Sequence, residues 1–412
     1  MNFNNNILNR NNIIIFFFVF LIINYLFFNY RILSRENGYI LGDWVINYSA
    51  GFVKRGFLGH FFYTISKNFN ISIINIVFLF SSSIYILSLY FFYKIIKKHL
   101  ENNIIFIFIF LPSTFLFNFF DPLSVGRKEI LVFFFFYFYY FNLDRINNYL
   151  KFKIFTYFLF ITIALTHELI IFFIPYLFVI KYFNFNNKSE NKIKNYFLEL
   201  LILISGILLL IIIFKFNHLH NNDLLCKSLE KINLTNKTCW AINDFKNQIS
   251  INFLLNYFLE KNYFLNYLIY FILSIIPIVL LTVKSNSKIK KKFILFSLFC
   301  LIFSVSFFIQ VNDWGRYLNV VFFLQFLLVL KFIENEDFFY NKNIFFFKPL
   351  QLILIFFYLT SWNMPHCCNP ELGKGYINIY ERIKFRIIDN SNESTKYNDV
   401  PRKFLRKIFK ID

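Results

Sequence analysis

IFTYFLFITIALTHELIIFFIPYLFVI, residues 154–180, decides how this chain is threaded. The stretch is apolar except where His167-Glu168 interrupts its middle, with Pro175 further on. A helix needs about 20 apolar residues to cross a hydrocarbon core once. Both flanks are basic, with Arg145, Lys151 and Lys153 before it and Lys181, Lys188, Lys192 and Lys194 after it. Basic segments stay on the cytoplasmic side of a membrane, so the stretch has to enter and return. The pattern predicts a hairpin of two short helices with His167-Glu168 at or near its outer tip. The competing reading is one continuous buried helix with an internal His-Glu pair. That helix would turn every later loop over.

Outward from this stretch, apolar residues come in long blocks. Ile13–Phe28 and Ile71–Tyr93 carry no charge, and 58% of the 412 residues are hydrophobic. Soluble domains run at about 45–50%. Without water in the bilayer, each crossing must be a helix or part of a closed barrel. Runs such as Val132-Phe133-Phe134-Phe135-Phe136 lack the period-two alternation of barrel strands. The expected fold is therefore an all-α, polytopic integral membrane helix bundle with about 10–11 transmembrane helices. Helices are expected near 13–33, 71–93, 103–120, 130–143, 196–214, 263–283, 293–311, 317–331 and 349–362, besides the hairpin near 154–180. Residues 1–362 form the membrane domain, and 363–412 form a basic, partly amphipathic tail on the outer side. The first block is long and no small-residue cleavage site follows it, so no cleavable signal peptide is expected. The 66 Phe read as lipid-facing filler, a drift that AT-rich codons favour.

The net charge of +20 would suggest nucleic acid in a soluble protein. Here the lysines fall between apolar blocks, as membrane topology arranges them, and no nucleic-acid motif is present. The partner implied is membrane lipid. With the hairpin in place, loops 34–70, 121–129, 215–262 and 312–316 share the outer face with its tip. Four of the five cysteines lie on that face, namely Cys226, Cys239, Cys367 and Cys368. An oxidising compartment permits disulfides there. Of the three pairings, Cys226 with Cys239 is the closest non-adjacent choice, and free thiols are the alternative. His218 with His220, and His366-Cys367-Cys368, resemble metal ligands but lack further clear partners.

Ionisable residues near membrane depth are costly and mark functional sites by default. The first outer loop contains Gly42-Asp43-Trp44 and Phe52-Val53-Lys54-Arg55-Gly56, and five of the ten glycines lie between Gly38 and Gly59. Such glycines predict turns or close backbone approaches. A cation pair placed against the topological bias suits an anionic ligand. The second loop runs from Asp121 through Gly126-Arg127-Lys128-Glu129, the hairpin tip supplies His167-Glu168, and the last loop reads Asp313-Trp314-Gly315-Arg316. Each element has a plainer reading. Asp43 could cap a helix, Arg127-Lys128 could snorkel, His167-Glu168 could satisfy itself, Asp313 and Arg316 could pair locally, and Trp44 and Trp314 could be interface anchors. Repetition across four loops favours a shared site.

Cations and carboxylates on an outer face suit a phosphate or pyrophosphate. Lys54, Arg55, Asp121, Arg127, Lys128, His167 and Arg316 are the candidate phosphate- and substrate-binding residues. They would neutralise a leaving phosphate. Asp43, Glu168 and Asp313 are the candidate catalytic bases for an attacking hydroxyl. The outer carboxylates also permit a divalent metal ion as cofactor. No nucleotide-binding glycine loop is present.

The acidic Asp43 just after the first helix resembles the GT-C superfamily of multi-pass glycosyltransferases. The outer-loop Arg55, Arg127 and Arg316 resemble the layout of Wzy-type O-antigen and capsule polymerases. That resemblance implies a polyprenyl-phosphate- or pyrophosphate-linked sugar donor, a glycan acceptor, an address in the bacterial inner membrane, and Asp43 as base. The rival classes are a transporter or flippase of lipid-linked oligosaccharide and a non-enzymatic envelope assembly subunit.

Overall fold

The computed structural model describes residues 3–121, 124–185, 196–216, 222–235, 238–239, 263–283, 287–308, 313–335, 349–364 and 373–374. In chain order the helices begin with α1 (Phe3–Ser34), α2 (Leu41–Val45), α3 (Gly56–Phe69), α4 (Ile73–Ile96), α5 (Asn103–Ile109) and α6 (Phe117–Phe120). They continue with α7 (Glu129–Phe141), α8 (Leu143–Asn148), α9 (Leu150–Thr166), α10 (Leu169–Phe172), α11 (Ile174–Phe185) and α12 (Phe197–Phe216). The last are α13 (Asn222–Glu230), α14 (Tyr263–Val283), α15 (Ser287–Phe308), α16 (Trp314–Asn335) and α17 (Pro349–Thr360). A two-residue antiparallel pairing, Trp362 with Lys374 and Asn363 with Gly373, is the sheet content among the described residues.

The chain is a multi-pass membrane protein. Among the described residues, α1, α4, α12, α14 and α16 are long and apolar enough to cross a bilayer. Their surroundings differ. The span in α16 is 94% buried inside the protein, against 28–39% for the other four. A helix that is apolar all round is buried in the core, and α16 is the post around which α7, α11, α14 and α15 pack. The outer helices turn Phe16, Ile23, Leu79, Ile204 and Phe214 outward. Lipid tails are as apolar as these side chains, so association rests on close packing and buried polar contacts. Phe108 stacks on Phe326 at 3.7 Å, Tyr25 stacks on Tyr85 at 3.9 Å, and Asn29 Nδ2 donates to Ser81 Oγ at 2.8 Å.

The chain reverses at His167-Glu168. Phe155 and Phe160 of α9 lie against Phe138 and Phe135 of α7, while Tyr176 of α11 lies against Phe136. The mid-point of α12 faces both arms, since a Cβ on Gly206 would meet Phe160, Ile171 and Ile174 together. Residues on either side of 167 thus share one level, as a hairpin requires and a continuous helix forbids.

Two expectations change. The span near 103–120 is not one helix: α5 stops at Ile109, before Pro112, and α6 is a single turn. Pro112 cannot continue a helix. The Thr114 hydroxyl donates to the carbonyls of Phe108, Ile109 and Leu111, and Asn319 Nδ2 donates to those of Ser113 and Thr114. Such a break is tolerated at membrane depth where protein satisfies the backbone. Loop 34–70 is also more regular than expected. It carries α2 and the 14-residue α3, which packs between α4 and α9.

Candidate functional site

The four singled-out segments meet at one end of the bundle. α2 carries Asp43, with Trp44 fully buried beside it. The Trp44 indole donates to the carbonyl of Gly126 at 2.5 Å, so it fastens the first loop to the second rather than anchoring at the membrane interface. Gly126 has φ +75°, and a Cβ there would meet Asn29 Oδ1 at 2.5 Å. In α3, a Cβ on Gly59 would lie 1.9 Å from the carbonyl oxygen of Ile46. Helix α3 can therefore pack on the strand leaving α2 only with glycine at this position.

Arg55 precedes α3 with φ 66°, in the left-handed region. Such a backbone costs a non-glycine residue on the order of 1–3 kcal/mol and concentrates at functional sites. It aims the guanidinium at the hairpin tip. Arg55 Nε and Nη2 reach the Glu168 carboxylate at 2.8 Å each, and Nη1 lies 3.6 Å from Asp43 Oδ1. Lys128 is wholly buried; its Nζ donates to the Arg55 carbonyl at 3.1 Å and lies 3.5 Å from Asp43 Oδ1. On the other side, Arg316 at the start of α16 donates to Glu129 at 2.8 Å and pairs with Asp313. His167 lies between the two groups, its Nε2 3.9 Å from Glu129 Oε1.

These charges set one another's protonation. Burial would raise Asp43, but Lys128 and then Arg55 bring it below the usual carboxylate range. Glu168 is likewise opposed by burial, yet Arg55 holds it far below that range. Burial lowers Lys128, partly offset by Asp43. Burial also lowers Arg127, assisted by repulsion from Arg316. His167 is pushed down to about 4, first by burial and then by Arg55.

Nine of the ten expected residues fall in or against this cluster. Lys54 is half-buried near Glu168, whose charge opposes the lowering of its pKa by burial. Arg127 donates to the Tyr39 carbonyl at 2.9 Å and stacks over the Tyr39 ring. Asp121 stands aside at the end of α6, where its carbonyl accepts from the Ser124 hydroxyl at 2.6 Å. The Lys54-Arg55 pair does not present two open cations, because Arg55 is neutralised from within by Glu168 and Asp43. The local Asp313–Arg316 pair is present, but Arg316 also reaches a carboxylate 187 residues away.

Glu129 belongs to the same cluster, and reasoning from the sequence left it unassigned. It had a signal: a lone carboxylate opening the apolar run of α7, where ionisable groups are costly. Asn319, buried on the apolar α16, is a second.

A cavity of about 60 Å³ opens below the cluster. Its lining includes charged Arg127, Glu129 and Arg316, polar Asn118, Ser124 and Asn319, and aromatic Tyr25, Tyr85, Phe133 and Phe323. One water needs roughly 10–15 Å³ by such a measure, so the space suits a few waters or one small group; a sugar would have to widen it. Within the charged cluster, buried polar atoms lack hydrogen bonds: Asp43 Oδ1, both ring nitrogens of His167, and Nε of Arg316, which also lines the cavity. Among the described residues no three His, Cys, Asp or Glu side chains group closely enough to hold a metal ion.

Cys226 and Cys239 form a disulfide, with Cα atoms 5.6 Å apart. Its segment rests on the site end: Asn47 Nδ2 donates to Ser228 Oγ at 3.3 Å, and Glu36 accepts from the Thr235 amide at 2.7 Å. His218, His220, His366, Cys367, Cys368 and nearly all of the 363–412 tail lie outside the described residues. No protein-family model, curated protein or solved structure matches the chain.

Proposed function

We propose that this protein is a membrane glycosyltransferase of cell-surface polysaccharide assembly, using a polyprenyl-phosphate- or pyrophosphate-linked sugar donor. The observation that carries the reading is the pair of guanidiniums, Arg127 and Arg316, which line one small cavity together with Glu129 and several aromatic side chains. The two guanidiniums repel, Glu129 and Asp313 already offset part of that repulsion, and an anion entering the cavity would share the arginines with these carboxylates. A phosphate takes paired hydrogen bonds from arginine well. The aromatic side chains in the same lining suit the apolar carbon chain that a lipid-linked phosphate brings with it.

In this reading Arg127 and Arg316 hold the phosphate and stabilise the charge that grows on it as the glycosidic bond breaks. Asp43, Glu168 and Asp313 keep the cations in position. The cluster faces the outer compartment of a bacterial inner membrane. The disulfide fastened to the same end supports that orientation, because disulfides persist in oxidising compartments.

One observation favours transport instead. Helices broken beside buried charges, as at 110–116 and 167–168, are the way transporters build midplane sites. The two readings separate in liposomes supplied with the lipid-linked intermediate extracted from a deletion strain and a glycan acceptor. Glycosidic bond formation, lost in Asp43→Asn and Arg127→Ala with expression intact, supports the enzyme. Movement of donor between leaflets without bond formation overturns it.

A further inference from the structure

His167 is a member of the cluster whose burial the ion pairs do not explain, its nearest carboxylate oxygen being 3.9 Å from Nε2. It is 1% exposed, and neither ring nitrogen makes a hydrogen bond. Buried polar groups in native proteins almost always have partners, and an exception needs a reason. Charges from several elements act on the ring. Asp43 faces it from α2, Arg55 from the start of α3, Glu129 from α7 and Glu168 from its own turn. Behind these stand Lys128, 3.5 Å from Asp43, and Arg316, 2.8 Å from Glu129. Each carboxylate is thus already engaged by a cation. A carboxylate held ionised by cations is a weak base. The imidazole is neutral, and both of its nitrogens lack hydrogen bonds, whereas the Asp43 carboxylate, though its Oδ1 also lacks one, stands 3.5 Å from the Lys128 ammonium.

Resting on the glycosyl-transfer reading, we infer that His167 is the catalytic base and that Glu129, held by Arg316, orients it. The ring carries its hydrogen on Nε2, toward Glu129, which leaves Nδ1 as the acceptor. The acceptor sugar's hydroxyl oxygen attacks the anomeric carbon of the donor. The bond from that carbon to the phosphate oxygen breaks, and its electron pair leaves with the phosphate. The hydroxyl proton passes to Nδ1. The imidazolium so formed is stabilised by Glu129, 3.9 Å away in the resting state, and then releases its proton to the departing phosphate or to solvent. This is the logic of a base held in one tautomer by a carboxylate. Donor binding also prepares the base, because a phosphate anion brought into the cavity that Glu129 lines, one contact from the ring, favours the protonated imidazole.

The test uses the full chain in liposomes, with the extracted lipid-linked intermediate as donor, and follows initial rates from pH 4 to 8. Absence of turnover by the wild-type protein defeats the glycosyl-transfer reading itself, not the role of His167 within it. With turnover, kcat/KM falls on the acid side in the wild type, and kcat falls at a higher pH than kcat/KM. His167→Gln lowers kcat by roughly 10²–10⁴-fold, the usual worth of a general base, leaves the donor KM unchanged and removes the acid limb. Retention of that limb in a folded His167→Gln protein overturns the inference. If that variant does not fold, Glu129→Gln decides. Loss of the negative neighbour moves the acid limb to lower pH if His167 is the base, and an unmoved limb overturns the assignment.

Discussion

The two ends of the bundle both bury charge, and they do it differently. At the lysine-rich end, Lys181 meets Glu199 at 2.7 Å, and the Tyr139 hydroxyl donates to the other Glu199 oxygen at 2.6 Å. Nearby Glu334 accepts from Lys331 at 3.0 Å and lies 3.3 Å from His99 Nε2. Both oxygens of each carboxylate are occupied, while His99 Nδ1 and the Tyr140 hydroxyl lack hydrogen bonds and neither residue lines the cavity. At the opposite end, five cations, several carboxylates and an imidazole share one site. Asp43 Oδ1, Arg316 Nε and both His167 nitrogens lack hydrogen bonds there, and a cavity lies beneath. A buried ion pair is therefore a poor sign of function. Unfilled hydrogen-bonding capacity, converging from separate parts of the chain, is a better one.

Breaking single pairs tests the comparison most severely. Arg55→Ala leaves Glu168 buried without its main partner, and removing one member of a buried pair typically costs about 3–5 kcal/mol. Denaturant titration in detergent should show a loss of that size. Undiminished stability would mean that the site end is less tightly coupled than its geometry indicates.

Protonation gives the next largest effect. The folded protein holds His167 at about 4 against an ordinary value of 6.5. The unfolded chain therefore binds an extra proton between these values, and stability falls as pH drops from 6.5 to 4. The full shift is worth about 3 kcal/mol by linkage. Asp43 and Glu168, both held low, remove further stability as pH falls below the ordinary carboxylate range. Thermal melts of wild type and His167→Gln across this range should differ in slope between pH 4 and 6.5. Parallel curves would contradict the burial of a neutral ring.

Gly59→Ala is expected to cost about 1–3 kcal/mol, as overpacking does, because the new methyl group meets the backbone carbonyl of Ile46. Turnover should fall with stability, since the displaced backbone leads out of α2 and Asp43. The smallest effect is expected at the lysine-rich end. Replacing Lys181 and Glu199 together by Met and Leu removes both charges, a change that is often neutral or slightly stabilising. Turnover should survive it. The same treatment of Arg55 and Glu168 should leave a folded but inactive protein. If both double variants behave alike, the difference between the ends dissolves.

The membrane bundle was legible in the sequence because apolar block length and lysine placement are local properties. Those two facts also located the hairpin, since basic flanks on both sides of residues 154–180 force a return. The break at 110–116 was less legible. Pro112 announces it, but the partners that make it tolerable, Thr114 and Asn319, are 205 residues apart.

For the site, the sequence by itself determined which residues could matter: charges at membrane depth are expensive wherever the chain goes. The tertiary structure alone decided how those charges are paired. Arg55 reaches Glu168 across 113 residues and Arg316 reaches Glu129 across 187. Such distances are set by helix packing around α16, not by local pattern. The same packing left His167 without a hydrogen-bond partner. Whether a buried group is satisfied depends on every neighbour at once, and a linear sequence does not contain that information in local form.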